Sequence, residues 1–193
     1  MRELRVAGKP IANVVLGASR NSSGPQSGIW QVNLESDQAS GALLIQPGEA
    51  GQDARINARL ARLTIPESQR AEIAELLDAP LNDMPALDVV AENFELGKRK
   101  LGRLELVAQN TVRNTDNVNA RDWQLQKLEI TNPDGKFTAT GKWVSSSAEA
   151  AANRSASNVT TSRRMALNFD LDFSNGGGLL TRFGIADALR ATK

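Results

Sequence analysis

Apolar and polar residues alternate along most of this chain, as they do in strands that bury one face. Residues 29–36 show the pattern clearly, because Trp30, Val32 and Leu34 fall on one face and polar residues fall on the other. The same alternation predicts further strands within 55–65, 87–96, 104–109, 123–130, 137–143 and 167–173, and apolar runs predict two more within 11–20 and 41–46. The chain is therefore expected to be mainly β.

Three of the predicted strands lose their alternation part-way along. The apolar residues change phase near Arg62, near Asn93 and near Lys127. A residue inserted into one strand of a pair moves every later side chain to the opposite face, and a β-bulge has this effect. We therefore predict a bulge or strand end near Arg62, a bulge near Asn93 and a slip of the alternation at Lys127.

Two segments have the 3.6-residue period of a helix instead. Within 66–85, the residues Ile73, Leu76 and Leu77 recur at helical spacing among acidic residues, and prolines follow them. We expect this helix to pack across an open end of the sheet, with a lid over a groove as the alternative. A second helix is predicted over 178–190, after the turn signal of three consecutive glycines.

The predicted elements divide the chain into two β parts. Residues 1–65 form a first β module, residues 66–85 form a linker helix, and residues 86–193 form a second β module. The second module contains a Ser-, Ala- and Asn-rich stretch, 144–162, which has no apolar period and is predicted to be a mobile surface loop. No strand closes the second module, so we expect the chain to be a fragment of a longer protein.

Composition excludes several kinds of active site. The chain contains no Cys, no His and no Tyr, which excludes disulfides, thiolate nucleophiles, Cys- or His-ligated metals and Ser-His-Asp triads. Basic residues (23) and acidic residues (22) leave a net charge of +1, without the clustered basic excess of nucleic-acid binders. No run approaches the ~20 apolar residues of a membrane-spanning helix. We predict a protein that is not an enzyme, has no cofactor and binds no nucleic acid.

The alternating apolar face has two interpretations. It is the core of an ordinary, closed β-sandwich, or it is the wall of a groove that holds acyl chains. Burying one methylene contributes about 0.8 kcal/mol, so a continuous apolar strip is a favourable place for a lipid tail in water. Periodicity alone does not separate the two interpretations.

Several short motifs resemble those of one protein family. They are PALD at 85–88, FEL at 94–96, LGRLEL at 101–106, WQL at 123–125, ITNP at 130–133, FTATGKW at 137–143 and LLTRFG at 179–184. Together they resemble the AsmA-like envelope proteins of Gram-negative bacteria, and most closely the YhdP type. The resemblance covers most of the chain and is most specific from residue 85 onward.

The resemblance implies a fold and a function. The fold is a curved, twisted antiparallel sheet that forms a groove or half-barrel of repeated β modules, with one linker helix and a C-terminal helix. The function is a periplasmic segment of a bridge that carries phospholipid between the inner and outer membranes, next to further β modules of the same chain. An inner-membrane anchor is expected outside the fragment. Eleven residues are candidates for the groove lining: Trp30, Val32, Leu34, Leu104, Leu106, Leu125, Ile130, Phe137, Leu167, Phe169 and Leu171.

A second hypothesis belongs to a different functional class. In it, the protein is a non-catalytic structural or interaction module of the cell envelope, with a closed core and with strand edges that pair with partners or neighbouring modules. Mass spectrometry of lipids that purify with the fragment would distinguish this hypothesis from the hypothesis of a lipid groove.

Overall fold

The fold is seen in a computed structural model of the chain. It describes residues 3–6, 9–22, 27–48, 53–69, 84–115, 118–145 and 163–183. In these ranges the strands are β1 (Glu3–Val6), β2 (Lys9–Ala12), β3 (Val15–Arg20), β4 (Trp30–Glu35), β5 (Ala39–Gln46), β6 (Arg55–Ile65), β7 (Ala86–Leu96), β8 (Arg99–Thr115), β9 (Val118–Asn132), β10 (Gly135–Ser145) and β11 (Arg163–Phe173). A 3-10 turn spans Glu67–Gln69, and the α-helix α1 spans Gly176–Phe183.

Strands β3 to β11 form one open, curled sheet of nine strands, in which neighbours along the chain are neighbours in space. The strands β1 and β2 pair separately in a short antiparallel ladder. The predicted fold class, mainly β with an open sheet and a C-terminal helix, is confirmed. Strands β3–β6 of 1–65 and strands β7–β11 of 86–193 therefore belong to the same sheet.

One junction in the sheet differs from the antiparallel arrangement expected. Strands β6 and β7 pair in parallel, with Arg55 beside Ala86 and Ile65 beside Leu96. A chain that leaves one end of β6 and enters β7 at the other end must travel back along the strand, about 33 Å at ~3.3 Å per residue. A parallel connection needs a dozen or more residues, and the segment 66–85 between the two strands has that length.

All three predicted phase changes are β-bulges. The pairing of β6 with β5 shifts beside Ala61, that of β7 with β8 shifts between Ala91 and Phe94, and that of β9 with β8 and β10 shifts at Gln126. Each bulge returns the later apolar residues to the side of the sheet that the earlier ones occupy. The alternation of the sequence therefore breaks where the ladder breaks, and the apolar side of the sheet continues past the break.

The strand predicted over 11–20 is wrong in one respect, because the chain breaks in its middle. Asn13 has a positive φ of 54°, which ends β2, and its side-chain amide donates a hydrogen bond to the Asp37 carboxylate at 2.8 Å. Val14 beside it is buried, while β3 begins at Val15. A positive φ is tolerated by Asn better than by most residues, so the break has a local cause that hydrophobic alternation does not show.

Helix α1 caps the end of the sheet where the β7–β8 and β9–β10 turns lie. The side chain of Asn175 accepts a hydrogen bond from the Gly178 amide at 3.0 Å, as an N-cap residue does. Arg182 donates to Asp134 in the β9–β10 turn at 2.8 and 2.5 Å, and Leu179 is buried. The buried Leu179 and the Arg182–Asp134 ion pair both hold the helix against the sheet.

Three predicted features extend beyond the described ranges. The linker helix 66–85 falls mostly on residues 70–83, and the loop 144–162 falls mostly on residues 146–162, which lie outside those ranges. The predicted C-terminal helix 178–190 is described only as far as residue 183. Among the described residues, no helix is both long and apolar enough to cross a membrane.

Candidate functional site

The candidate site is one face of the nine-stranded sheet, which we call the apolar face. Residues that are paired across neighbouring strands point to the same side, so the ladder registers show which side chains share a face. The register defines a row of apolar residues, the middle row, that crosses every strand from β11 to β3. In that order it contains Phe169, Ala139, Leu128, Leu106, Val89, Ala58, Leu43, Val32 and Ala18.

Two further apolar rows flank the middle row. The row nearer helix α1 contains Leu171, Phe137, Ile130, Leu104, Ala91, Leu60, Gly41, Leu34 and Leu16. The row on the opposite side contains Leu167, Gly141, Leu125, Ala108, Leu87, Ile56, Ile45 and Trp30, and ends at Arg20 on β3. The three rows make a strip without a charged residue from β11 to β4.

Every predicted groove residue lies on this face. The middle row holds Phe169, Leu106 and Val32; the row nearer α1 holds Leu171, Phe137, Ile130, Leu104 and Leu34; the remaining row holds Leu167, Leu125 and Trp30. Leu128, Val89, Ala58 and Leu43 were not among the eleven candidates; with Ala139 and Ala18 they complete the middle row. The signal for them was present, because each continues the alternation of its own strand.

Burial along the apolar face changes from the middle of the sheet to its edges. In the central strands Leu104, Leu125 and Ile130 are buried, each at most 7 % exposed. On the edge strand β11, Phe169 is 70 % exposed and Leu171 is 39 % exposed. The flanking rows are therefore closely packed in the central strands, where Leu106, Leu128 and Val89 of the middle row stay partly exposed, and the face is open at β11.

Two hydrophobic clusters contain the buried residues of the central strands. The first is centred on Leu60, Phe94 and Leu104 and reaches the turn end of the sheet. The second contains Trp123 and Trp143, whose rings meet edge to face at a centroid distance of 5.0 Å, together with Leu125. Such aromatic pairs stabilise a core beyond their buried area by ~0.5–1.5 kcal/mol. Leu128 packs against both clusters and connects them.

The edge strand β11 has features of an unprotected edge. Five of its side chains on the apolar face are large and exposed: Met165, Leu167, Phe169, Leu171 and Phe173. It pairs with β10 over eleven residues without a register shift, and it contains neither Pro nor Gly. Within the described residues β11 has no second neighbour in the sheet. Long, flat apolar edges of this kind favour the addition of another strand.

The opposite edge, β3, is shorter and also open. Its six residues are all exposed, and Leu16 and Ala18 continue two of the apolar rows to this edge. At its end, the guanidinium of Arg20 lies over the Trp30 ring, 5.9 Å from the ring centroid. This cation–π contact lies at the rim of the apolar face.

The other side of the sheet carries a ladder of ion pairs. Lys127 lies between two acids, with its Nζ 2.5 Å from the Glu105 carboxylate and 3.4 Å from that of Glu129. Arg103 pairs with Glu105 as well, and Lys136 lies 3.0 Å from Glu129. The hydrogen bonds from Lys127 and Arg103 lower the pKa of the Glu105 carboxyl, and those from Lys136 and Lys127 lower the pKa of Glu129. The sheet is thus apolar on one side and charged on the other.

Two glycines permit bulges in the sheet. Gly41 and Gly102 have φ values of +147° and +104°, in the region that favours glycine. A Cβ at either position would collide with backbone of the next strand, at Arg59 and at Thr131 respectively. Both glycines adjoin register shifts in the ladder. Bulges increase local twist, so these positions contribute to the curl that closes the apolar face.

The comparisons with known proteins agree with the resemblance seen in the motifs. No curated protein and no solved structure matches the chain. The family model described as YhdP protein matches residues 1–193, and the chain therefore belongs to the YhdP family.

Proposed function

We propose that this protein is a periplasmic segment of a lipid-transfer bridge and that phospholipid acyl chains lie along its apolar face. The proposal is supported most directly by the middle row, which is apolar on all nine strands. Nine strands at ~4.8 Å spacing extend the row for about 38 Å. Membership of the YhdP family supports the same function.

The direction of the rows matters for transfer. The rows run across the strands, and they continue to both edge strands, β11 and β3. A lipid that leaves the strip at an edge passes to whatever sheet pairs with that edge, so a neighbouring β module of the same full-length chain would extend the path. Each methylene kept on the strip saves about 0.8 kcal/mol relative to water. The proposal therefore requires no covalent chemistry and no cofactor.

The proposal places the chain between two membranes, with its anchor in the inner membrane outside the residues of this fragment. The net charge of +1 and the ion-paired opposite face are compatible with an aqueous surround on that side of the sheet. The acyl chains would first meet the exposed apolar residues of β11 and β3.

Mass spectrometry of lipids that purify with the protein tests this function. The chain would be expressed in a Gram-negative host with secretion to the periplasm, purified without detergent, extracted and compared with an unrelated periplasmic protein. We expect phospholipid at a defined stoichiometry, and uptake of a fluorescent fatty acid by the delipidated protein. The absence of both would contradict the proposal.

A second function is favoured by one observation, the unprotected edge of β11. In this alternative the protein is a structural or interaction module of the envelope, and the exposed apolar residues of β11 are covered by a strand of a partner or neighbouring module. It predicts that the purified protein carries no lipid and that blocking the β11 edge abolishes assembly.

A further inference from the structure

A basic cleft lies at the turn end of the sheet, beside helix α1. It has a volume of about 520 Å³ and is lined on one side by Lys98, Arg99 and Lys100, at the start of β8. Thr181 and Arg182 of α1 line the other side, together with Asp134. Among the described residues, four basic side chains therefore line the cleft, against one acidic side chain.

The basic side chains of the cleft are not equally available. Arg182 is engaged by Asp134 and by the Lys100 carbonyl, to which it donates at 3.1 Å. The Lys100 ammonium lies 4.0 Å from the Glu95 carboxylate. Lys98 and Arg99 have no ion-pair partner among the described residues. The positive charges of Lys98 and Arg99 are therefore available to bind an anion.

The cleft adjoins the end of the apolar face. Arg99 is the register partner of Leu96, which in turn pairs with Ile65, and both apolar residues pack against the first hydrophobic cluster. Leu101, two residues after Arg99, is 4 % exposed and belongs to that cluster. The apolar face therefore ends at this rim in a guanidinium group, which matches a molecule with apolar chains and an anionic head.

We propose that the basic cleft holds the phosphate group of a lipid whose acyl chains lie on the apolar face. The guanidinium of Arg99 offers a planar pair of donors to the phosphate oxygens, and Lys98 adds a second positive charge. The inference rests on the proposed lipid function. It adds a polar end point, which would hold the lipid at one side of the strip.

Paired lipids and matched variants test the proposal. The probes are fluorescent phosphatidylglycerol and fluorescent diacylglycerol with the same acyl chains, offered to the purified protein from phosphatidylcholine vesicles. The variants are Arg99→Gln, the double variant with Lys98→Gln, and Arg55→Gln as a control. Arg55 is an exposed arginine at the opposite end of the sheet, without an ion-pair partner among the described residues. Circular dichroism establishes that each variant is folded.

The expected result is a headgroup effect confined to the cleft. Wild-type protein takes up phosphatidylglycerol in preference to diacylglycerol, and Arg99→Gln lowers phosphatidylglycerol uptake about fivefold, the scale of one solvent-exposed charge interaction. The double variant lowers it further. Diacylglycerol uptake is unchanged in both variants, and Arg55→Gln behaves as wild type for both lipids.

Other results would overturn the proposal in distinguishable ways. Equal uptake of the two lipids by wild-type protein would show that the cleft does not bind the headgroup, and it would still agree with acyl chains on the apolar face. If the protein takes up neither lipid, the proposed lipid function is wrong, and the phosphate in the cleft cannot come from a lipid. In a parallel titration, inorganic phosphate that binds wild type but not Arg99→Gln, without any lipid preference, would show that the cleft takes free phosphate instead.

Discussion

Phe169 on β11 and Val32 on β4 occupy the same cross-strand row, although six strands lie between them. The residues between them in the row are all apolar, and two of them, Val89 and Ala58, belong to the parallel pair. One surface therefore crosses the junction between the two halves of the chain. The proposal that lipid moves along the sheet depends on this continuity.

The row nearer α1 contains buried and exposed leucines that allow a direct comparison. Leu104 is 5 % exposed in the central part, and Leu171 is 39 % exposed on β11. We expect Leu104→Ala to lower the free energy of unfolding by about 2–4 kcal/mol, because it leaves a cavity, and Leu171→Ala to lower it by less than about 1 kcal/mol. Urea denaturation measures both. Equal losses would show that the side chains of this row are not more tightly packed at the centre of the sheet than at β11.

The bulge glycines provide a second prediction. Gly102→Ala places a Cβ against the Thr131 carbonyl at a φ of +104°, so we expect it to destabilise the fold by about 1–3 kcal/mol. Gly17→Ala is the control, since a Cβ there has nothing within 4 Å, and we expect a change below about 0.5 kcal/mol. Thermal or urea unfolding measures the change in the free energy of unfolding for both variants. A neutral Gly102→Ala would mean that the bulge tolerates a side chain.

Much of the fold was predictable from the sequence because burial on one face leaves a periodic signal. The phase changes near Arg62, Asn93 and Lys127 even located the bulges. The parallel pairing of β6 with β7 was not predictable in this way, because alternation records which face of a strand is buried and not which strand lies beside it. The break at Asn13 was missed for a similar reason, since a single positive φ has no periodic signature.

The ion-pair ladder predicts a pH dependence of stability. The pKa values of Glu105 and Glu129 are lowered in the folded protein, by hydrogen bonds from Lys127 and Lys136 respectively above all. A carboxyl with a lowered folded pKa contributes stability that is complete above its unfolded pKa and is lost as the pH falls through the folded value. We therefore expect stability to decline on acidification below the ordinary carboxyl range.

The matched variant for this prediction is Glu105→Gln. It keeps the shape of the side chain and removes the charge that Lys127 and Arg103 engage, so the free energy of unfolding should depend less steeply on pH in acid than it does in wild type. Urea denaturation at a series of acidic pH values measures the slope. An unchanged slope would show that the ladder is solvated and contributes little.

The residues of the apolar face were predictable as a set, but the burial of each one was not. Alternation placed Leu125 and Leu167 on one face, and the register confirms that they share a row. Alternation does not report that Leu125 is buried within the second hydrophobic cluster while Leu167 is exposed at an edge. Burial at this level depends on how the sheet curls, which is set by long-range pairing and bulges.

Two neighbouring positions on β11 allow a direct test of whether acyl chains lie along the apolar face. Phe169 points to the apolar face, as the partner of Ala139, and Asn168 points to the opposite face, as the partner of Thr140. Both side chains are exposed, so Phe169→Glu and Asn168→Glu add the same charge at adjacent positions of one strand. The measurement is uptake of fluorescent phospholipid by each folded variant. The account predicts a strong loss of uptake for Phe169→Glu and uptake near the wild-type level for Asn168→Glu, because a charge on the strip opposes an acyl chain. Equal uptake by the two variants would contradict it.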